Sequence, residues 1–118
     1  MIGLAGATLV ACADKSIPPR QLAGADPARG LALIEAEGCA ACHAIPGVKW
    51  PRGAVGGSLA GFAGQSTLGG RFPNRPDTLA AWLRDAPAMA QDTAMPASGL
   101  TESQARDVAA YLYTLDAD

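Results

Sequence analysis

The sequence has few aromatic residues, a single histidine and only short apolar runs. Aromatic residues make up 5% of 118 residues, so one small domain has a thin core of its own, and something other than protein is expected to fill its middle. The apolar runs are shorter than the roughly 18 residues that a membrane-spanning helix needs. A net charge of −2 argues against nucleic acid as the main partner, because such binding depends on neutralising phosphates.

The three cysteines divide into a close pair and a distant residue, Cys12. Cys39 and Cys42 are followed directly by the only histidine, in the order Cys39-Ala40-Ala41-Cys42-His43. Two thiols at this spacing can reach two vinyl groups on one porphyrin edge, and the adjacent imidazole can bind the iron, so the motif favours covalent haem c. A zinc site is less favoured, since zinc usually takes four protein ligands and the chain has no second cysteine pair. A bare redox pair is the other alternative.

The sixth ligand of such an iron has to be something other than histidine, and methionine is the common partner. Met95 precedes Pro96, which disfavours helical geometry at Met95 and predicts an extended loop. Met89 lies in the alanine-rich stretch of residues 86–90 and is not followed by a proline, so packing is its simpler role. We therefore expect His43 and Met95 to hold the iron.

Two helices are marked by their ends. Asp26 as N-cap, Pro27 at the first helical position and Gly38 at the far end predict a helix that leads into the cysteine motif. Gly30 in its middle costs about 1 kcal/mol relative to alanine, which indicates close packing there. Thr101 to Gln104 form a capping box for a final helix, whose apolar stripe is Ala105, Val108, Ala109, Leu112 and Leu115.

Residues 26–116 resemble a class I cytochrome c, on the helix before the cysteine motif, the Met95-Pro96 loop and the C-terminal stretch with Ala105, Val108 and Tyr111. The resemblance implies an all-α fold of three to four short helices and long loops wrapped around one haem c. It implies that the first and last helices cross at near right angles, with Gly30 letting Tyr111 or Leu112 approach. It also implies a middle helix over residues 77–84 that Asp77 caps and that presents Leu79, Trp82 and Leu83 on one face.

The resemblance also implies further site residues. In the family, a Gly-Pro dipeptide places a backbone carbonyl against the histidine that binds the iron. In this chain Gly57 stands in place of the proline. We predict that His43 Nδ1–H donates to the carbonyl of Gly57. Trp82 either touches a haem propionate or packs in the core. Residues 44–76 contain four cations and no acid: Lys49, Arg52, Arg71 and Arg75. Arg71 and Arg75 are candidates for neutralising propionates; the cations could instead steer an acidic partner to the haem edge or simply be solvated.

Residues 1–12 are apolar up to Cys12, and Leu9-Val10-Ala11-Cys12 resembles the lipobox of bacterial lipoproteins, in which the cysteine carries the lipid. No Lys or Arg precedes this run, which departs from the basic start of a signal peptide. An ordinary export signal is the alternative. Residues 13–25 are expected to form a flexible linker to a cytochrome c domain over residues 26–118. Both interpretations predict the periplasmic side of a bacterial inner membrane, with a lipid anchor in the first.

These features predict an electron-transfer protein rather than an enzyme, because both axial positions of the iron are filled. The segment Ile45-Pro46-Gly47 and residues 109–115 resemble the cytochrome c modules that accompany haem–copper terminal oxidases, which implies a terminal oxidase or another respiratory complex as partner. A tightly bound subunit of such a complex is one alternative. If Met95 does not bind iron, a ligand-binding or peroxidase-type haem protein is another.

Overall fold

Helices and long loops make up the part of the chain that the computed structural model describes, residues 22–116. This part contains the helices α1 (Pro27–Glu37), α2 (Pro76–Arg84), α3 (Ala86–Met89) and α4 (Glu102–Leu112). Single 3-10 turns lie at Cys39–Ala41 and Phe62–Gly64, and the antiparallel strands β1 (Thr67–Leu68) and β2 (Phe72–Pro73) form a small hairpin. The predicted all-α class is confirmed, with the addition of this hairpin.

The predicted lipobox with Cys12 and residues 13–21 of the predicted linker lie outside the described residues. Residues 22–25, the end of that linker, contact the domain: Leu22 is buried in the core, and the Ala23 carbonyl accepts a hydrogen bond from Arg106 at 3.4 Å. No helix within residues 22–116 is long and apolar enough to cross a membrane.

Helix α1 begins and ends where the sequence predicts. The Asp26 carboxylate accepts hydrogen bonds from the backbone N–H groups of Ala28 and Arg29 at 2.8 and 3.3 Å, which satisfies donors that the first turn leaves unpaired. Gly38 ends the helix in the left-handed conformation, with φ of 71°. The cysteine motif therefore starts at the residue directly after a well-defined helix end.

Helices α1 and α4 come into backbone contact at Gly30. A Cβ atom on Gly30 would lie 2.0 Å from the carbonyl oxygen of Asp107 and 3.0 Å from the amide nitrogen of Val108. The expectation that Tyr111 or Leu112 approaches Gly30 is wrong, because the closest approach of α4 is one turn earlier. The close packing that Gly30 indicated is present, and only a residue without a side chain permits it.

The buried carboxylate of Asp107 joins the start of α1 to the same region of α4. It is 5% exposed and accepts hydrogen bonds from the backbone N–H of Asp26 at 2.8 Å and from the Arg29 guanidinium at 3.1 and 3.4 Å. The Arg29 hydrogen bond is the main cause that lowers the pKa of Asp107, against the opposing effect of burial. Asp107 is therefore charged and paired at neutral pH.

Helix α2 starts one residue earlier than predicted. Pro76 occupies the first helical position and Arg75 precedes it in extended conformation, so Asp77 lies in the first turn and does not cap the helix as expected. The reason is that the fixed φ of proline suits the first helical position. Leu79 and Leu83 are buried and Trp82 is half-buried, which confirms the predicted apolar face.

Helix α4 carries the predicted capping box. The backbone N–H of Gln104 donates to the Thr101 hydroxyl at 3.2 Å, and the Thr101 N–H donates to the Gln104 side-chain oxygen at 2.9 Å. The predicted stripe is buried from Ala105 to Leu112, whereas Leu115 lies beyond the helix end and is half-buried. This stripe packs against α1 and α2 and forms much of the core.

Gly30→Ala should destabilise the protein, although alanine is about 1 kcal/mol better than glycine inside a helix. The new methyl group would collide with the backbone of Asp107, and overpacking of this kind typically costs about 1–3 kcal/mol. Urea unfolding should show a lower midpoint with an unchanged slope. Gly99→Ala is the control, since its Cβ atom would meet nothing within 4 Å. A midpoint for Gly30→Ala at or above that of the wild type would contradict this packing.

Candidate haem site

The cysteine motif forms a tight turn at the end of α1. The backbone N–H groups of Cys42 and His43 both donate to the carbonyl of Cys39, at 3.2 and 3.1 Å. The two thiols are free: Cys39 is half-buried against the core and Cys42 is exposed. Burial is the main cause that raises the pKa of the Cys39 thiol. The two sulfur atoms are therefore not joined as a redox disulfide and are available to one ligand.

The imidazole of His43 is oriented by the loop that follows the motif. Its Nδ1 lies 2.7 Å from the carbonyl oxygen of Gly57, which is the predicted hydrogen bond. Because a carbonyl oxygen only accepts, Nδ1 carries the proton and Nε2 keeps its lone pair. This is the tautomer that a histidine ligand needs.

Gly56 brings the backbone of the same loop against the imidazole ring. A Cβ atom on Gly56 would lie 2.3 Å from Cε1, 2.6 Å from Nδ1 and 2.8 Å from Nε2 of His43. The Gly56 N–H donates to the carbonyl of Cys42 at 2.7 Å, so the loop is also tied to the motif. Only the Gly57 carbonyl was predicted to contact His43; the contact of Gly56 was not, although the Gly56-Gly57 pair was the available signal.

A second glycine closes the loop over the motif. The Gly53 N–H donates to the carbonyl of Ala40 at 2.9 Å, and a Cβ atom on Gly53 would lie 2.2 Å from the carbonyl oxygen of Ala41. The loop therefore lies with its backbone directly against the backbone of the motif. Sequence reasoning did not identify Gly53, since a lone glycine in a loop has no characteristic spacing.

The segment directly after His43 is fastened to α4. Ile45 is buried, and the hydroxyl of Tyr111 donates to the carbonyl of Pro46 at 2.6 Å. Gly47, with φ of 95°, leaves room for that hydroxyl, because a Cβ atom there would lie 2.0 Å from it. Tyr111 thus contacts the loop after the motif rather than Gly30.

Met95 lies in a segment without helix or strand between α3 and α4, and its position before proline is consistent with the absence of helix there. It is half-buried and packs against the core, and its N–H donates to the Thr93 hydroxyl at 3.2 Å. Three residues later, Ser98 is bonded to the end of α2: its hydroxyl donates to the Leu83 carbonyl at 2.7 Å and its N–H to the Arg84 carbonyl at 3.0 Å. The loop that carries the thioether is therefore bonded to the end of α2.

Met89, the other methionine considered as a ligand, is the last residue of the one-turn helix α3 and is half-buried. Met95, in contrast, lies outside any helix. The assignment of the sixth position to Met95 stays a prediction.

The remaining predicted site residues surround the hairpin and α2. The rings of Trp82 and Phe72 pack with centroids 5.8 Å apart, in agreement with a packing role for Trp82. Arg71 is exposed, and its guanidinium pairs with Asp92. Arg75 is exposed at the start of α2. Contact of Arg71, Arg75 or Trp82 with a propionate stays a prediction.

The residues of this region fit a covalently attached haem c. Cys39 and Cys42 have free thiols, His43 has a free Nε2 lone pair, and Met95 lies in an anchored loop. Imidazole and thioether form a common axial ligand pair for haem iron. In residues 22–116, no three or more His, Cys, Asp or Glu side chains come together where they could hold a metal ion.

Comparison with known families gives the same result as the geometry. The family model described as Cytochrome c matches residues 27–116, which include α1, the cysteine motif, the Met95 loop and α4. The search of curated proteins found no match for the chain.

Gly56→Ala should displace the imidazole of His43, because the new methyl group would lie within 2.8 Å of three ring atoms. We expect the haem-loaded variant to have an altered reduction potential. Its melting temperature should be lower, by about 4–8 °C for each kcal/mol by which the free energy of unfolding decreases. Gly57→Ala is the matched control, since its Cβ atom would meet nothing within 4 Å. Equal potentials and melting temperatures for the two variants would contradict the assigned contact.

Met95→Ala should lower the reduction potential and open the sixth position, because a methionine ligand raises the potential. The ferric spectrum should lose its methionine–iron charge-transfer band and become high-spin. Met89→Ala, as the matched variant, should keep the band and the potential. If Met89→Ala produces these changes and Met95→Ala does not, the ligand assignment is wrong.

Proposed function

Since the chain belongs to the cytochrome c family and is thus a haem-binding electron-transfer protein, we propose that it carries single electrons in an exported respiratory chain, to or within a terminal oxidase. Cys39 and Cys42 attach one haem c, and His43 and Met95 bind its iron. The observation that carries this proposal is the hydrogen bond of 2.7 Å between His43 Nδ1 and the Gly57 carbonyl, which leaves Nε2 for the metal.

The bound haem supplies the one-electron couple. The contribution of the chain is to orient the side chains that would bind the iron. The carbonyl of Gly57 fixes the tautomer and the plane of the His43 ring, and Gly56 confines that ring from one side. On the other side, Ser98 anchors the segment that carries Met95. His43 and Met95 would together hold the iron and leave no position open for substrate, so we infer a carrier rather than an enzyme that binds substrate at iron.

An exposed surface beside the motif supports a protein partner. Trp50 and Val55 are 84% and 81% exposed, and the exposed cations Lys49 and Arg52 lie on the same loop. We call these four residues the loop patch. The backbone of this loop is bonded to the cysteine motif through Gly53, so the patch lies beside the thioether positions.

The chemistry of the loop patch indicates what it binds. An exposed tryptophan at the centre of a contact is a frequent source of binding energy, and a rim of cations steers an acidic partner into register. A redox partner with an apolar contact area and an acidic rim therefore fits this surface. We propose that this partner is a terminal oxidase or another respiratory complex.

We further propose that the domain works at the periplasmic side of a bacterial inner membrane, anchored by lipid on Cys12. The support is the residue order Leu9-Val10-Ala11-Cys12. Cys12→Ala should then move the protein from the membrane fraction to the soluble periplasmic fraction. A protein that fractionates identically with and without Cys12 would contradict lipid anchoring.

Trp50→Ala should slow oxidation of the reduced protein by the terminal oxidase of its own membranes about tenfold or more, as loss of a central aromatic contact does. Lys49→Gln and Arg52→Gln should instead reduce the dependence of that rate on ionic strength. All three variants should keep the wild-type potential. Stopped-flow oxidation across a salt series measures both effects.

Arg84→Gln, an exposed cation at the end of α2, is the control for that experiment. Rates and salt dependence that are unchanged in every loop-patch variant would contradict docking at this surface. Co-purification of the wild-type protein with an oxidase through several columns would identify a bound subunit rather than a free carrier.

A further inference from the structure

We propose that Arg71 is a positioning residue for Met95: its ion pair with Asp92 latches the Met95 loop to the β1–β2 hairpin and disfavours detachment of the thioether. The inference rests on the proposed ligation by Met95. It differs from the role that the sequence suggested for Arg71, which was contact with a haem propionate.

The pair has the geometry of a two-point contact. Nη1 and Nη2 of Arg71 donate to Oδ1 and Oδ2 of Asp92 at 2.8 and 2.5 Å. Parallel bonds of this kind fix direction as well as distance. The same hydrogen bonding is the leading cause that lowers the pKa of Asp92. The two residues are 21 positions apart in the chain, so the contact joins two separate segments.

Arg71 extends from a firm base. Its own N–H donates to the carbonyl of Leu68 at 3.0 Å, and Leu68 is buried in the core. Gly69 and Gly70 form the hairpin turn with φ of 55° and 71°. The next residue, Phe72, packs on Trp82 of α2. The Arg71 guanidinium therefore extends from a hairpin that packs against α2.

Asp92 lies three residues before Met95, at the opposite end of the loop from Ser98. The Ser98 end is bonded to the last turn of α2, and the Thr93 N–H donates to the Ala90 carbonyl at 3.1 Å. The Arg71 pair adds a side-chain tether at the Asp92 end, so the segment of residues 92–98 is held on both sides of Met95. Release of this tether lengthens the free segment and favours the detached thioether by loop entropy.

The solvent exposure of Arg71 and Asp92 determines how strongly their ion pair can disfavour detachment of Met95. The side chains of Arg71 and Asp92 are 53% and 67% exposed, so solvent and salt weaken their attraction. An exposed pair of good geometry shifts an equilibrium by about two- to fivefold. Binding of an added ligand that competes with Met95 should change by that factor, since its apparent affinity scales with the fraction of detached thioether.

The experiment is an imidazole titration of the ferric, haem-loaded protein, followed by loss of the methionine–iron charge-transfer band at low and high salt. Arg71→Gln and Asp92→Asn should each bind imidazole about two- to fivefold more tightly than the wild type at low salt. The charge exchange Arg71→Asp with Asp92→Arg should restore weaker binding. In the wild type, affinity for imidazole should rise with salt, and in the single variants it should not.

Asp77→Asn is the matched control, because Asp77 belongs to a different ion pair, 3.8 Å from Arg106. It should leave the imidazole affinity unchanged. Should a variant fail to fold, the salt dependence of the wild-type protein still tests the latch, since an unlatched loop would show none.

Each other outcome overturns a distinct claim. One such outcome is that Arg71→Gln changes the imidazole affinity, Asp92→Asn does not, and the charge exchange fails to restore the wild-type affinity. In that case Arg71 interacts with a haem propionate and the latch is wrong. If neither single variant differs from the wild type, the latch is also wrong. A wild-type protein without the charge-transfer band would overturn Met95 ligation itself, which separates failure of the proposed function from failure of the latch.

Discussion

The hydrogen bond between His43 Nδ1 and the Gly57 carbonyl is the contact on which the site depends. At 2.7 Å it fixes which imidazole nitrogen is free to bind metal. It exists only because the loop lies against the cysteine motif, and the loop reaches that position only because Gly56 and Gly53 have no side chains. The tautomer of the His43 imidazole therefore depends on the backbone conformation of the loop that carries Gly53, Gly56 and Gly57.

The helices determine where that contact forms. Helix α1 ends at Gly38, so the motif begins at a fixed point on its axis. Helix α4 lies against α1 because Gly30 lets the backbones meet, and Tyr111 of α4 then holds the segment after His43 by its hydrogen bond to Pro46. Packing between the two ends of the domain thus sets the position of the histidine.

The two sides of the site are built by different means. The histidine side is local: residues 39–57 are joined by backbone hydrogen bonds, which do not involve exposed side chains. The methionine side depends on side chains, with Ser98 bonded to α2 and Arg71 paired with Asp92 at the surface. If Met95 binds the iron as we propose, the methionine side is the one where salt and surface charge should influence ligation.

The features that the sequence predicted are those with local causes. The caps of α1 and α4, at Asp26 and Thr101, act on residues within one turn, and both were predicted. The cysteine motif and the absence of helix at the residue before Pro96 are local for the same reason. Asp77 was assigned as a cap because the preference of Pro76 for the first helical position was overlooked.

Features that depend on distant contacts were missed. The hairpin has strands of two residues each, too short to show alternation. The neighbour of Gly30 depends on how α1 and α4 cross, and a charge count could not pair Arg71 with Asp92 across 21 positions. Gly57 was found from a family resemblance, whereas Gly56 and Gly53 required the geometry of the loop.

The most direct test is the pyridine haemochrome spectrum, together with the intact mass, of protein made in a host that has haem-attachment machinery. We expect one haem for each chain, bound through two thioether links to Cys39 and Cys42. Colourless protein, or a mass equal to that of the polypeptide alone, would contradict it.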